Sequence, residues 1–83
     1  PNPFNAQTRI LLDIPEKSLV TLELYNAMGQ HIRTLISEEK EPGAHTAVWD
    51  AADDDGKPVG TGIYMIHMRA GSFQKTRKCL LLR

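Results

Sequence analysis

Apolar and polar residues alternate along most of this chain, and this two-residue period constrains the fold more than any other feature of the sequence. In residues 8–14, for example, Ile10, Leu12 and Ile14 fall on one side of the extended chain. Such alternation is typical of a half-buried β-strand, and no stretch has the period of an amphipathic helix. The pattern predicts six strands, at residues 8–14, 19–25, 31–37, 44–50, 63–69 and 72–82.

The segments between these strands carry turn residues. Gly29 can adopt a positive φ in the turn at 26–30, and a Pro-Gly pair closes a charged loop predicted at 38–43. Residues 50–62 are predicted to form a long polar loop, and Ala70-Gly71 joins the last two strands. Many short strands with turn signals between them predict an all-β fold, a small antiparallel β-sandwich.

The strand count of this sandwich is six or seven. Residues 1–5 can add a short edge strand, although their two prolines limit its pairing. A closed barrel is the alternative, but six strands of unequal length do not obviously close. The 83 residues are enough for one small domain. We therefore expect a single domain over residues 1–83, and the absence of an initial methionine predicts that it was excised from a longer secreted protein.

The predicted core is the inward row of each strand, with Trp49 and Tyr64 as its anchors. Met65 is expected to point outward. The other predicted core residues are Ile10, Leu12, Val20, Leu22, Leu24, Ile32, Leu35, Ile66, Met68, Cys79 and Leu81.

Charge is balanced overall but divided along the chain. Residues 38–55 hold seven acids and one base, whereas residues 69–83 hold five bases and no acid. This polarity can orient a partner or a neighbouring domain. Nucleic acid is not the expected partner, because the whole chain is neutral and the bases lack interleaved aromatic residues. The predicted recognition residues lie on the basic terminal strand: Lys75, Arg77, Lys78 and Arg83.

Four aspartates precede Gly56 in the long polar loop: Asp50, Asp53, Asp54 and Asp55. Closely spaced carboxylates can bind Ca²⁺, which prefers six to eight oxygen ligands. The pattern is not an EF-hand, because no closing glutamate and no flanking helices are present. The favoured interpretation is turn chemistry, in which aspartates accept hydrogen bonds from nearby amides and Gly56 supplies the left-handed residue. Ca²⁺ is the alternative, and no other cofactor is expected.

No arrangement of residues points to catalysis. His31, His45 and His67 lie too far apart in sequence for the usual zinc spacing, and all three are predicted to face outward. Cys79 is the only cysteine, which excludes an internal disulfide. The serines lack a nucleophile-elbow pattern. No run of 18 apolar residues exists, so the sequence contains no predicted membrane span.

Several short motifs can be compared with those of known families. They are Pro1-Asn2-Pro3-Phe4-Asn5, Tyr25-Asn26, Gly29-Gln30-His31-Ile32, Gly43-Ala44-His45, Trp49-Asp50, Asp54-Asp55-Gly56-Lys57-Pro58-Val59, Gly62-Ile63-Tyr64, and the basic, apolar ending from Lys75 through Leu80-Leu81-Leu82-Arg83. Together these motifs resemble the C-terminal sorting domains of the type IX secretion system. The immunoglobulin-like domain of the flagellar hook-capping protein is similar to the chain in three of them: Trp-Asp, Asp-Asp-Gly and Gly-Ile-Tyr.

The resemblance implies an immunoglobulin-like fold and a non-catalytic role. The first functional hypothesis is a sorting signal that directs a passenger protein to the cell surface of a Gram-negative bacterium through the periplasm. Its partners would be the secretion machinery or a surface peptidase. The alternative is a structural module of an extracellular or flagellar assembly. That module would pack against neighbouring domains of the parent chain or against copies of itself.

Overall fold

A computed structural model of the chain describes residues 7–83. These residues form six strands, and no helix among them is long and apolar enough to cross a membrane. The edge strand predicted at residues 1–5 lies outside the described residues. The strands are β1 (Thr8–Ile14), β2 (Ser18–Asn26), β3 (His31–Lys40), β4 (Gly43–Trp49), β5 (Gly62–Ala70) and β6 (Phe73–Leu81).

The strands form two antiparallel sheets of unequal width. One sheet contains β1 and β4, and the other has the order β3-β2-β5-β6. The inward rows of the sheets pack together, so that Ile10 and Leu12 of β1 join Leu22 of β2 and Ile66 of β5 in one core. The predicted all-β sandwich of antiparallel strands is therefore confirmed, with six strands in the described residues.

The prediction of a charged loop at residues 38–43 is wrong. β3 continues to Lys40 and β4 begins at Gly43, so that two residues separate the strands. The charged end of β3 pairs with the start of β2, where Glu39 lies opposite Leu19. Charged side chains are common on such exposed edges because they discourage pairing with other chains. Lys17 lies 3.7 Å from a carboxylate oxygen of Glu39, which offsets part of the acidic charge.

Two register shifts in β3 explain an apolar pattern that does not alternate. The pairing with β2 skips Leu35 and then Ile32, so each of these residues is an extra residue opposite β2. An extra residue of this kind is a β-bulge, which bends the strand and changes the face on which the next side chain lies. As a result Ile32, Leu35 and Ile36 all pack against the core despite their irregular spacing.

The core is centred on Trp49, whose side chain is fully buried. The indole Nε1 donates a hydrogen bond to the Ala52 carbonyl at 2.9 Å. The ring meets Tyr64 edge to face, with 5.1 Å between ring centroids. The Tyr64 hydroxyl donates in turn to the Gly60 carbonyl at 2.7 Å. The two rings therefore hold both ends of the long loop between β4 and β5.

Three residues assigned to the core by their alternation are only partly buried: Ile32, Leu35 and Cys79. Ile32 and Leu35 are on the edge strand β3, and Cys79 is on the edge strand β6, where a neighbour covers one side only. Conversely, Ala51 and Ala70 are buried core residues that were not predicted, because each lies one residue beyond the end of a predicted strand.

We expect replacement of Trp49 by alanine to lower the free energy of unfolding by about 3–5 kcal/mol, because it empties the centre of the core. Trp49→Phe should cost less, because it retains an aromatic ring and the Ala52 carbonyl, although it loses the indole donor, still accepts from Arg33 at 3.2 Å. Urea unfolding followed by far-ultraviolet circular dichroism measures both. Val48→Ala, on the half-exposed outer row, is the control. A loss from Trp49→Ala no larger than that of the control would contradict the central role of the indole.

Candidate functional site

The aspartate loop is organised by Asp53. One oxygen of its carboxylate accepts hydrogen bonds from the backbone amides of Asp55 and Lys57, both at 2.9 Å. The backbone closes the same turn, since the Asp53 carbonyl accepts from the Gly56 amide at 3.0 Å. Gly56 has a φ of 84°, a left-handed conformation that glycine adopts without steric cost. The carboxylate of Asp53 is thus occupied by the turn itself.

The turn between β2 and β3 repeats this arrangement with an uncharged residue. The Asn26 side-chain oxygen accepts from the amides of Met28 and Gln30, at 3.0 and 2.9 Å. The Asn26 carbonyl accepts from Gly29, which has a φ of 84° as Gly56 does. Because an amide does at Asn26 what a carboxylate does at Asp53, the turn requires an oxygen acceptor and no negative charge.

The other aspartates of the loop point to different partners. Asp50 accepts from the Arg33 guanidinium at 3.0 Å, and Asp54 accepts from the Thr34 amide at 2.9 Å. The Asp54 amide also donates to the Ile32 carbonyl at 3.0 Å, which fastens the loop along the free edge of β3. Within residues 7–83, no group of three or more histidine, cysteine or acidic side chains is placed to hold a metal ion.

The three histidines are far apart in the structure as well as in the sequence. His31 and His67 lie on the outer face of the larger sheet, opposite Tyr25 and Thr76. The prediction that His45 faces outward is wrong. It lies opposite Leu12 on the inner face of the smaller sheet, where the end of the strand leaves it half-buried. Its Nε2 atom lies 2.7 Å from the Glu41 carbonyl.

The four basic residues of the terminal strand do not form one surface. Residues directly opposite each other in an antiparallel pair share a face. Lys75 and Arg77 lie opposite the core residues Met68 and Ile66, and therefore belong to the inner face. Lys78 lies opposite Met65 and belongs to the outer face. The structure thus brings Lys75 and Arg77 together and separates Lys78 from them.

Arg83 lies beyond the end of β6 and is tied to the long loop. Its guanidinium donates to the carbonyls of Ala51, at 2.8 Å, and Val59. Its backbone amide donates to the Thr61 hydroxyl at 3.0 Å. The Ala51 carbonyl also accepts from the Val59 amide. These contacts give Arg83 a role in closing the end of the sandwich, and they direct its charge away from Lys75 and Arg77.

An apolar patch on the outer face of the larger sheet was not identified as a site by the sequence reasoning. Ile63 and Leu80 lie directly opposite each other on β5 and β6, with exposed fractions of 47% and 63%. Met65 follows on the same row of β5 and lies beside Tyr25 of β2. We call Tyr25, Ile63, Met65 and Leu80 the outer patch. The alternation along β5 was a usable signal, because it places the side chains of Ile63 and Met65 on the opposite face of the sheet from those of Tyr64 and Ile66.

The rim of the outer patch is polar. The Tyr25 hydroxyl donates to a carboxylate oxygen of Glu23 at 2.6 Å, and this hydrogen bond raises the pKa of Tyr25 above its usual value of 10.0. The Tyr25 ring meets the His31 ring edge to face at 5.4 Å. Lys78 borders the patch beside Met65. An apolar centre with a polar border is the usual composition of a protein interface.

We expect Asp53→Ala to lower the free energy of unfolding by about 1–2 kcal/mol, because two backbone amides lose their acceptor. Asp53→Asn should remain within about 0.5 kcal/mol of the wild type, since Asn26 performs the same role in its own turn. Thermal and urea unfolding measure both variants.

Millimolar Ca²⁺ is expected to raise the melting temperature by less than about 1 °C, since a ligand stabilises a protein only by binding its native state. A larger shift that Asp53→Asn abolishes would contradict the assignment of these carboxylates to turns.

Comparison with known proteins identifies the family. The sequence model of the FlgD Ig-like domain family matches residues 4–73, which is most of the chain. Comparison with curated proteins finds no match. Among solved structures, the chain is similar to FlgD from P. aeruginosa, with a TM-score of 0.72 and 20% sequence identity. The similarity covers 90% of this chain and 59% of that one, so the chain spans less than two thirds of the FlgD structure.

These comparisons agree with the fold described above and with the hook-capping half of the resemblance found in the sequence. They give no support to the sorting-domain half. At 20% identity the structural similarity establishes the fold alone, whereas the match to the family model extends over five of the six strands and the loop that joins β4 to β5. The chain belongs to the FlgD Ig-like domain family.

Proposed function

We propose that this protein is a non-catalytic, immunoglobulin-like structural module that packs against a neighbouring domain of its parent protein in an extracellular or flagellar assembly. The outer patch is the observation that carries the proposal. Membership of the FlgD Ig-like domain family supports it, because the name of that family links the fold to FlgD.

The composition of the outer patch favours contact with another protein over exposure to water. Ile63 and Leu80 bring two branched side chains together across neighbouring strands, and Met65 and Tyr25 extend the apolar surface toward β2. An isolated exposed apolar residue needs no explanation, but a cluster with a polar rim is typical of an interaction surface. Burial of Ile63 and Leu80 by a partner would remove apolar area from water, which is the main driving force of association.

A binding role fits the described residues better than a catalytic one. Apart from Trp49 and Tyr64, no side chain with a polar or charged group is buried within residues 7–83, and Tyr25, whose pKa is raised by its hydrogen bond to Glu23, is half-buried on the face of a sheet. Catalytic acids and bases usually owe their altered pKa values to burial in a cleft. The outer patch offers instead an apolar surface on the face of a sheet, which suits packing against another domain.

We expect Ile63 and Leu80 to be protected from hydroxyl-radical oxidation in the parent protein and to be oxidised readily in the 83-residue chain alone. Val48 is the matched control, because it is about as exposed as Ile63 and lies on the outer face of the smaller sheet. The double substitution Ile63→Thr and Leu80→Thr should remove the protection while retaining strand propensity. Equal oxidation of Ile63 and Leu80 in both samples would contradict the proposal.

A copy of the same chain is the second candidate neighbour for the outer patch. Sedimentation velocity over a range of concentrations distinguishes a second copy of the chain from a different domain as the neighbour. A chain that stays monomeric assigns the patch to a different domain, whereas concentration-dependent dimers that Ile63→Thr and Leu80→Thr abolish assign it to self-association.

A sorting signal is the second candidate function, and it is favoured by the position of β6 at a sheet edge. Every residue of β6 from Phe73 to Lys78 is exposed, so a receptor would have access to both faces of this basic segment.

A reporter fused to residues 1–83 should then reach the surface of a host with type IX machinery. Lys75→Glu with Arg77→Glu should leave the reporter in the periplasm. Charge reversal is preferable to deletion of β6, because deletion would also remove Leu81 from the core. Lys57→Glu, in the exposed loop, is the control. Retention of the unaltered fusion in the periplasm would exclude a sorting role.

A further inference from the structure

We propose that the groove between β1 and β6 binds an extended acidic segment of a partner protein, which adds a strand to the edge of β1 that no strand of residues 7–83 occupies. The groove lies on the inner side of the larger sheet and shares no residue with the outer patch. The inference therefore goes beyond the proposed function, and each proposal can fail without the other.

The groove exists because the two sheets differ in width. Within residues 7–83, β1 pairs with β4 alone and β6 pairs with β5 alone. The two-stranded sheet does not reach far enough to cover β6, and a groove with a volume of about 620 Å³ opens between the two edges. The buried core residues Leu22, Ile66 and Met68 line its floor. The open side of this sandwich thus gives access to the core.

The inner row of β6 forms one wall of the groove. Phe73, Lys75, Arg77 and Cys79 lie opposite core residues of β5, yet the first three are exposed. A row that faces a core and remains in contact with water is unusual for a small domain. Long basic side chains suit such a position, because their apolar stems can lie along the floor while their charged ends stay hydrated.

The charge of the groove selects an acidic occupant. Its lining carries the bases Arg9, Lys75 and Arg77, the base Lys78 from the outer face of β6, and the acid Asp13. Within the described residues, no ion pair joins any of these four bases to a carboxylate. An acidic segment would supply the missing partners and would be guided to the groove by the same charges. A basic segment would be repelled.

The backbone of β1 forms the other wall, and it selects an extended occupant. A strand with a neighbour on one side only has alternate amide and carbonyl groups directed away from that neighbour. Along β1 these groups face the groove, because β4 occupies the other side. An extended peptide can pair with such an edge through its own backbone, as peptides do in β-strand addition. The seven residues of β1 would pair with a segment of about the same length.

The edge of β3 shows that this fold can protect a free edge. There the Asp54 amide donates to the Ile32 carbonyl and the Asp54 carboxylate accepts from the Thr34 amide, so the long loop takes the place of a neighbouring strand. No segment of residues 7–83 does the same for β1. The contrast between a covered edge and an open one, with an apolar floor beside it, points to the groove as the place for an added strand.

The test uses the 83-residue chain and a fluorescein-labelled synthetic peptide of about seven residues that alternates valine with glutamate. The valines match the apolar floor and the glutamates match the basic walls. We expect saturable binding by fluorescence anisotropy at low ionic strength. Lys75→Glu with Arg77→Glu should weaken binding by about tenfold or more, because two attractive contacts become repulsive. Lys57→Glu and the outer-patch variant Ile63→Thr with Leu80→Thr are the controls and should bind as the wild type does.

Two further peptides test backbone pairing without any change to the protein. Each carries N-methyl groups on alternate amides, one set on the odd residues and the other on the even residues. Alternate amides of a strand point to opposite edges, and only one edge of the peptide can pair with β1. The peptide whose methyl groups lie on the other edge should therefore bind, and the peptide whose methyl groups lie on the pairing edge should not. Amide shifts in an NMR titration should map to residues 8–14 and 73–79.

The proposal would be overturned by equal binding of both methylated peptides, by equal binding of a valine–lysine peptide, or by unchanged binding to the Lys75 and Arg77 variant. Dimers of the chain that the acidic peptide dissociates would also overturn it, because they would assign the groove to a second copy.

Discussion

The fold depends on the contact between two aromatic rings at the point where β4 ends and β5 begins. Trp49 and Tyr64 pack edge to face, and each uses its polar atom to bind one end of the loop between the strands. A polar atom buried in a core is costly unless it is hydrogen-bonded, so these two bonds tie both ends of the loop to the core. The loop can therefore lie along β3 with its backbone fixed, and Arg83 can close the same end of the sandwich.

The strands and their inward rows could be predicted because both depend on local alternation. Ile10, Leu12, Val20, Leu22 and Leu24 are buried for the reason that their spacing indicates. Features that depend on distant partners could not be predicted in this way. The charged end of β3 reads as a loop until its pairing with Ser18 and Leu19 is known. The bulges at Ile32 and Leu35 interrupt the alternation that predicted the inward rows of the other strands. The burial of Ala51 depends on its left-handed backbone, with a φ of 61°.

The candidate sites were predictable to a smaller extent, because a list of charged residues does not specify which face they occupy. The aspartates are close in sequence, yet three of their carboxylates have separate partners: Asp53 binds amides of its own turn, Asp50 binds Arg33 and Asp54 binds Thr34. The basic residues of β6 are likewise close in sequence, but Lys75 and Arg77 lie on one face and Lys78 lies on the other. The alternation of side chains along β5 indicated the outer patch. The groove carried no signal of its own, because it results from the unequal width of the two sheets.

The difference between the two edges of the larger sheet has a consequence for any assembly made by edge-to-edge pairing. A sheet with two accessible edges can be extended from both, and repeated addition leads to open-ended fibres. Here the loop that carries Asp54 covers the edge of β3 near Ile32 and Thr34, whereas β6 at the other edge has no further neighbour among residues 7–83. Two molecules that paired through β6 would each present a covered edge outward, so the combined sheet would stop at two copies.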